Sequence, residues 1–350
     1  METVSAEFLK SIGGRTMYTG MSKALYFGYR PPGDRSLAED EAAERLKASG
    51  VIREFNPAED IPEITGDEVK LWRYERVANG NILLPRNWQV TGSCVNGGGQ
   101  NAVSSLVSIE KLMLTAPESI FLPFTLLAYG AARGALGDRG EGEGASASQF
   151  AQELYNIGVG DTELDLYPKP QILDIDGSVY KDRCLVYPEG TELKYSSARN
   201  ATPAQLADAA KSKIKQIRIR SAQEAIKELR RGRPLTWAGD WGGKMTMSYA
   251  GEPRVLYCER RYDTWYHQES CTGWWNHPTL GSIFNILNQW FMKKSNGLAA
   301  SVHGPVSDDS PSGSYWIPEK EFEYQCRSGE VCSIYNAQGR IKNLDWYVAA

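Results

Sequence analysis

The sequence places a cysteine directly before a predicted helix, a position that favours a reactive thiol. Cys94 ends the run Gln89-Val-Thr-Gly-Ser-Cys94, and apolar residues recur at helical spacing beyond it. The positive end of a helix dipole favours the thiolate and lowers the pKa of such a cysteine. Gln89 could donate its side-chain amide to an oxyanion, together with the backbone N–H of Cys94. Most cysteines are buried small hydrophobic residues, so this pattern alone does not establish a nucleophile.

A histidine and an asparagine in the second half of the chain could supply the matching base. His267 lies near the beginning of one predicted strand, and Asn288 lies near the end of another. An asparagine oxygen that accepts a hydrogen bond from one imidazole N–H would fix the tautomer and direct the other nitrogen at the thiol. Trp290 would shield that hydrogen bond from water.

These side chains also have ordinary structural interpretations. His267 could be a satisfied strand histidine, and Asn288 could be a turn residue. Glu269 lies two residues beyond His267 on the same strand face, so it is a rival orienter of the imidazole. We expect the other two histidines, His277 and His303, to be solvated because they lie in loop sequence.

The elements that must position these residues come in the order helices first, strands later. Helical periodicity and capping boxes predict helices over residues 101–114 and 146–157 and from Thr202 and Ser221 onward. Aromatic and β-branched residues predict strands at 235–238, 255–262, 265–275, 283–290 and 315–317. This order favours an α+β fold, with a helical half facing a largely antiparallel β half, over alternating βαβ units.

Composition excludes several classes of protein. The 350 residues are 41% hydrophobic and 23% charged, which is ordinary globular usage rather than the composition of a disordered chain. Lys and Arg total 39 against 43 Asp and Glu, so we expect no nucleic-acid partner. No histidine pair or Cys-x-x-Cys has metal-ligand spacing, and the glycines of residues 140–144 do not form a phosphate-binding motif, so we expect no metal and no cofactor.

Four short motifs, in order, resemble those of the papain-like cysteine peptidases. Gln89 with Gly-Ser-Cys94 is similar to the start of the central helix in that family, and His267 through Gly273-Trp274 is similar to its histidine strand. Asn288-Gln-Trp290 resembles the family's Asn-Ser-Trp, and residues 313–317 resemble its late Gly-x-aromatic-aromatic-Ile strand. The glycine-rich loop and helix of residues 140–158 resemble the segment that walls the substrate cleft in divergent bacterial and phage members.

The resemblance implies a two-lobed papain-like α+β fold and peptide or amide hydrolysis. It implies a Cys94 nucleophile, a His267 base and acid, an Asn288 orienter and a Gln89 oxyanion hole. Three departures affect the loop beside the chemistry: Gln89 is one residue closer to the cysteine than usual, Val95 replaces a tryptophan, and Phe291 replaces a glycine. We predict a papain-like domain over residues 85–325, an N-terminal extension over 1–84 and a C-terminal extension over 326–350.

Two other functions stay open. One is an inactive papain-like scaffold with a structural or binding role, for instance in a virion, and the other is a cell-wall amidase. We expect a protein or peptide substrate, structural partners bound through the N-terminal extension, and no membrane partner. The N-terminus lacks a signal-like pattern, so we expect a cytoplasmic or virion-associated location. The six cysteines are widely spaced, and we expect mostly reduced thiols, with Cys326 and Cys332 able to pair in an oxidising compartment.

Overall fold

Except for one helix at residues 319–328, the helices of the described residues lie before residue 231, among short strands, and the longer strands follow them. The computed structural model describes residues 64–113, 121–137, 140, 142–246, 253–258, 265–306 and 308–335, and the backbone of two strands within residues 15–26. The helices in these residues are α1 Leu71–Ala78, α2 Cys94–Met113, α3 Leu126–Ala135, α4 Ala147–Asn156, α5 Thr191–Tyr195, α6 Pro203–Ala209, α7 Ala222–Arg230 and α8 Glu319–Ser328. None of these helices is both long and apolar enough to cross a membrane.

The strands form one large sheet and three small ones. In chain order they are β1 Arg15–Thr19, β2 Ser22–Tyr26, β3 Glu68–Lys70, β4 Arg86–Asn87, β5 Pro123–Phe124, β6 Gly160–Asp161, β7 Gln171–Asp174, β8 Arg183–Val186, β9 Lys215–Arg218, β10 Leu235–Trp241, β11 Gly243–Thr246, β12 Val255–Cys258, β13 Trp265–His277, β14 Gly281–Leu287, β15 Phe291–Lys293, β16 Ala299–Ser301, β17 Ser314–Pro318 and β18 Glu330–Tyr335. The large sheet has the order β11-β12-β17-β14-β13-β10-β18-β9 and is mostly antiparallel, which agrees with the predicted α+β class.

Strand β13 lies in the middle of this sheet, between β14 and β10. Its first half pairs with β10, with His267 opposite Gly239, and its second half pairs with β14 and β3. A register shift between Cys271 and Gly273 separates the two halves. Since β14 ends at Leu287, opposite Ser270, the residues that follow β14 return toward the first half of β13.

Helix α2 packs on β13 through glycines. A Cβ atom on Gly98 would lie 2.8 Å from Glu269 Cα, and one on Gly99 would lie 2.1 Å from the Phe150 ring. Neither distance leaves room for a methyl group. The backbone of α2 can therefore approach β13 only because Gly98 has no side chain, and it can approach Phe150 of α4 only because Gly99 has none. The glycine run was predicted to precede the helix, and this was wrong: α2 begins at Cys94 and includes the run.

Two apolar clusters lie on either side of this contact. One belongs to the helices and includes Val103, Leu106, Tyr129 and Phe150. The other lies under the large sheet, where Trp237 stacks on Phe322 at 5.9 Å between ring centroids. Trp237 is 0% exposed, so this large aromatic side chain fills the core under the sheet.

Most of the predicted elements are present, with shifted ends. Helix α4 has Ser146 as its N-cap, and α6 has the capping box formed by Thr202 and Gln205. The sequence also predicts one short charged helix over residues 37–48, ended by Gly50, and this segment lies outside the described residues. The domain boundaries stay predictions, although α1 packs on α2 and β18 lies inside the large sheet, which ties segments from both predicted extensions to the main domain.

All six cysteines are free thiols. Cys326 and Cys332 are both buried, in α8 and β18 respectively, and no bond joins them. Burial raises the pKa of Cys332 to about 11 and raises that of Cys326 further, which disfavours the thiolate at each position.

Candidate active site

The thiol of Cys94 lies against the strand that carries His267. The backbone N–H of Gln268, the next residue on β13, donates to Cys94 Sγ at 3.4 Å. The side-chain amide of Gln289 donates to the backbone oxygens of Cys94 at 3.3 Å and of Gln268 at 2.7 Å. The first residue of α2 is therefore tied to β13 one position from the imidazole, and Cys94 is 0% exposed.

His267 and Asn288 meet as the sequence predicts. His267 Nε2 lies 3.3 Å from Asn288 Oδ1, and the ring centroids of His267 and Trp290 are 4.3 Å apart. The backbone N–H of Trp290 donates to the same Asn288 oxygen at 3.1 Å. An N–H can only donate, so this bond identifies the amide atom that faces His267 as the oxygen. His267 must then carry a proton on Nε2, which leaves Nδ1 as the nitrogen that can accept one.

Burial controls the charge of this imidazole. His267 is 1% exposed, and loss of solvation lowers its pKa from 6.5 to about 3, with a further lowering from His303 and an opposing contribution from Asn288. The ring is therefore neutral near pH 7. A neutral Nδ1 can accept a proton from a thiol.

Gln89 is held by the same group of residues. Its Oε1 atom accepts hydrogen bonds from Gln289 Nε2 and from Trp290 Nε1, both at 3.2 Å. Its Nε2 atom donates to the carbonyl of Thr91 at 2.7 Å. Since an amide NH₂ group has two hydrogens, an oxyanion beside Cys94 would use the second one.

The rival orienter, Glu269, is farther from the imidazole than Asn288. Its Oε1 atom lies 3.9 Å from His267 Nε2, beyond hydrogen-bond distance. The hydroxyl of Tyr315 contacts both Glu269 oxygens, at 2.8 and 2.7 Å. Burial raises the pKa of Glu269 from 4.5 to about 8, against a lowering by Tyr315. A neutral carboxyl group therefore lies behind the imidazole at pH 7.

The prediction that His277 and His303 are solvated was wrong. His277 is buried at the end of β13, where its Nδ1 atom accepts the backbone N–H of Leu280 at 3.2 Å. His303 is partly buried, and its Nε2 atom lies 2.8 Å from Asn288 Nδ2. The sequence gives no sign of this second contact because His303 lies 15 residues beyond Asn288 in loop sequence.

Sequence reasoning also missed Glu192, a buried carboxyl group on α5. Its Oε2 atom accepts hydrogen bonds from the hydroxyls of Ser93 at 2.5 Å and Thr91 at 2.7 Å. Burial raises the pKa of Glu192, and the bonds from Ser93 and Thr91 oppose that rise. Glu192 therefore fixes the loop that precedes Cys94 from a position 99 residues away along the chain.

The glycine-rich loop lies against the same segment. The backbone N–H of Gly144 donates to Gly92 O at 3.1 Å and to the Tyr129 hydroxyl at 2.8 Å. Glu143 lies over Gly92, where an added Cβ would meet its Oε2 atom at 2.9 Å. The loop thus lies two residues from the thiol, and its predicted role as a cleft wall stays a prediction.

Strand β2 lies beside the start of β13, next to His267 in sequence. It pairs in parallel with the first two residues of β13, opposite Tyr266, so its end lies beside the backbone that leads into His267.

Comparison with known proteins identifies the fold. No family model matches the chain, and no curated protein matches it. Among solved structures, xylellain, a cysteine protease from Xylella fastidiosa, is similar with a TM-score of 0.52 and 17% identity, over 92% of this chain and 100% of that one. A procathepsin B from Trypanosoma congolense has a TM-score of 0.47 and 10% identity, over 95% and 98%. A digestive procathepsin L from Tenebrio molitor has a TM-score of 0.43 and 12% identity, over 95% and 86%. The chain has the papain-like cysteine protease fold.

Proposed function

We propose that this protein is a cysteine peptidase that hydrolyses peptide or amide bonds, with Cys94, His267, Asn288 and Gln89 in its active site. The observation that supports this most directly is the hydrogen bond between His267 Nε2 and Asn288 Oδ1. The thiol of Cys94, from α2, accepts a hydrogen bond from the next residue of the strand that carries His267. Hydrogen bonds from Gln268, Gln289 and Trp290 also tie the segment of Gln89 and Cys94 to the segments of His267 and Asn288, and this supports the roles that acyl transfer requires.

The proposed reaction starts at the thiol. His267 Nδ1 takes the proton of Cys94, and the sulfur attacks the substrate carbonyl carbon. The carbonyl oxygen becomes an oxyanion, which the Cys94 N–H and the Gln89 amide stabilise. As the C–N bond breaks, His267 returns its proton to the leaving amine. Water then attacks the thioester, gives a proton to His267, and releases the acid and the thiol.

One observation favours the inactive scaffold as the second candidate. Cys94 and His267 are 0% and 1% exposed, and the Gln89 amide donates to Thr91. A substrate must displace whatever covers these atoms before the sulfur can attack. An inert scaffold would keep the same hydrogen bonds for stability alone.

Hydrolysis of defined substrates separates these candidates. The full chain is incubated with a mixed peptide library, with casein and with purified peptidoglycan, beside Cys94→Ala and Cys184→Ala variants. Cys184 is also 0% exposed, but burial raises its pKa to about 12 and it lies in β8, so it is a matched control.

The proposal predicts peptide cleavage that Cys94→Ala abolishes and Cys184→Ala retains. Cleavage of peptidoglycan with casein and peptides untouched would support the cell-wall amidase instead. No cleavage of any substrate by a folded chain would support the inactive scaffold.

A further inference from the structure

Asn288 contacts two histidines, one on each side of its amide. Its oxygen faces His267 Nε2 at 3.3 Å, and its nitrogen faces His303 Nε2 at 2.8 Å. The hydrogen bond from the Trp290 backbone N–H identifies the oxygen and the nitrogen of the Asn288 amide. The NH₂ group of Asn288 therefore points at His303, and the shorter of the two contacts is the one to His303.

We propose that His303 is a positioning residue, which holds the Asn288 amide in the orientation that sets the tautomer of His267. Because the Asn288 NH₂ group donates, His303 Nε2 must accept, and the His303 proton must lie on Nδ1. His267 then donates a hydrogen bond to the Asn288 oxygen, and the Asn288 NH₂ group donates one to His303. This inference rests on the proposed function, in which His267 Nδ1 is the base.

The surroundings of His303 keep its ring neutral. The guanidinium group of Arg254 donates to the backbone oxygens of His303 and Pro305, which places a positive charge beside the ring. Burial and this charge lower the pKa of His303 below 6.5. Asp308 interacts with Arg254 and partly offsets its charge. A neutral His303 can accept at Nε2, whereas a protonated one would place an N–H against the Asn288 NH₂ group.

The other groups around His303 cannot replace it as acceptor. The Tyr315 ring, from β17, lies edge-on at 5.0 Å, and its hydroxyl is engaged with the neutral Glu269. The Trp290 ring stacks at 6.4 Å, and the indole donates to Gln89. His267 lies on the far side of the amide. His303 Nε2 is thus the acceptor that the Asn288 NH₂ group meets in this network.

The tautomers of both rings can be read directly on the wild-type chain. Two-bond ¹H–¹⁵N spectra of the full chain with ¹⁵N-labelled histidine report which nitrogen of each ring carries the proton. The inference predicts Nε2–H for His267 and Nδ1–H for His303 at pH 7. A proton on His303 Nε2 would overturn it. This readout needs no hydrolysis, so it holds even if the chain cleaves nothing and the proposed function fails.

Two substitutions test the effect on the reaction. His303→Gln can present an amide oxygen to Asn288, whereas His303→Phe fills the space without an acceptor. The expected fall in kcat for His303→Phe is about 10- to 100-fold, the usual range when an orienting partner is lost, with KM unchanged and a mixed His267 tautomer. His303→Gln is expected to restore most of kcat and the single tautomer. Equal loss in both variants, with the His267 tautomer unchanged, would contradict the inference.

Discussion

The oxygen of Asn288 lies 3.3 Å from His267 Nε2 and also accepts the backbone N–H of Trp290 at 3.1 Å. The backbone bond makes the amide orientation unambiguous, and the amide orientation in turn sets the imidazole tautomer. The central strand β13, the segment that follows β14 and the Asn288 amide thus decide which nitrogen of His267 is left to accept a proton.

Replacing Asn288 by alanine is expected to lower kcat. The imidazole then loses the acceptor that fixes its tautomer, so we expect a loss within the range of about 10²- to 10⁴-fold that general acid–base catalysis contributes. Removal of the oxygen also leaves two buried N–H groups unpaired, each at a cost of about 1–3 kcal/mol of stability. Asn285→Ala is the control, because it removes a buried asparagine from β14 whose side-chain oxygen bonds to Thr272 rather than to an imidazole. Steady-state kinetics in which both variants match the wild type would contradict the assignment.

Gln89→Ala is expected to lower kcat by roughly 10²- to 10³-fold, because an oxyanion donor is lost. KM is expected to change little, since this donor acts on the charge that develops in the transition state. Gln216→Ala, at another buried glutamine in β9, is the matched control. Should kcat for Gln89→Ala equal that of the control, the oxyanion role of Gln89 would be wrong.

Gly98→Ala is expected to move α2 slightly away from β13 and to destabilise the protein. The added methyl group would lie 2.8 Å from the backbone of Glu269, and overpacking of this kind costs about 1–3 kcal/mol. Gly134→Ala is the control, because no atom lies within 4 Å of its added Cβ in α3, so it is expected to raise stability by up to about 1 kcal/mol. Denaturant unfolding measures both variants. A neutral Gly98→Ala variant would show that α2 and β13 do not need this close contact.

Glu269→Gln is expected to change how stability depends on pH. The folded pKa of Glu269, about 8, exceeds its ordinary value of 4.5, so between these values the native state binds a proton that the unfolded state has lost. Stability therefore falls as pH rises, by about 1.4 kcal/mol per pH unit, until the folded pKa is reached. Glutamine keeps an oxygen for Tyr315 but cannot ionise, so this part of the slope is expected to vanish.

The window from pH 6.5 to 8 isolates this effect. His267 has a folded pKa lowered to about 3, so it costs stability only as pH falls below its ordinary value of 6.5. Unfolding free energies of the wild type and Glu269→Gln are compared across the window. Parallel curves would mean that Glu269 is ionised in the native state.

The sequence predicted the parts of the site that local patterns encode. Cys94 at a helix start and His267 within a strand follow from dipole, periodicity and β-propensity arguments. The pairing of His267 with Asn288 was predicted from their side-chain chemistry and from the resemblance, and the structure adds the reason, because β14 ends opposite Ser270 of β13. Each of these sequence motifs is short and lies within one helix or strand or directly at its end.

Other contacts could not be predicted because they depend on loops that meet in space. Glu192 reaches Ser93 across 99 positions, and His303 reaches Asn288 from a loop that looked solvated. The helix was predicted to begin after the glycine run of residues 97–99, because glycine lowers helix propensity, but packing of α2 on β13 outweighs that cost. At these positions, tertiary contacts rather than the local sequence determine the structure.

The most direct test of the account is the rate at which iodoacetamide alkylates Cys94 near pH 6, followed by peptide mass analysis in the wild type and in His267→Ala. Cys258, which is more exposed than Cys94, serves as the internal reference. The account predicts that Cys94 reacts faster than Cys258 and faster than a model thiol, and that His267→Ala removes this advantage. A Cys94 no more reactive than a model thiol, with no effect of His267→Ala, would contradict a His267-activated nucleophile.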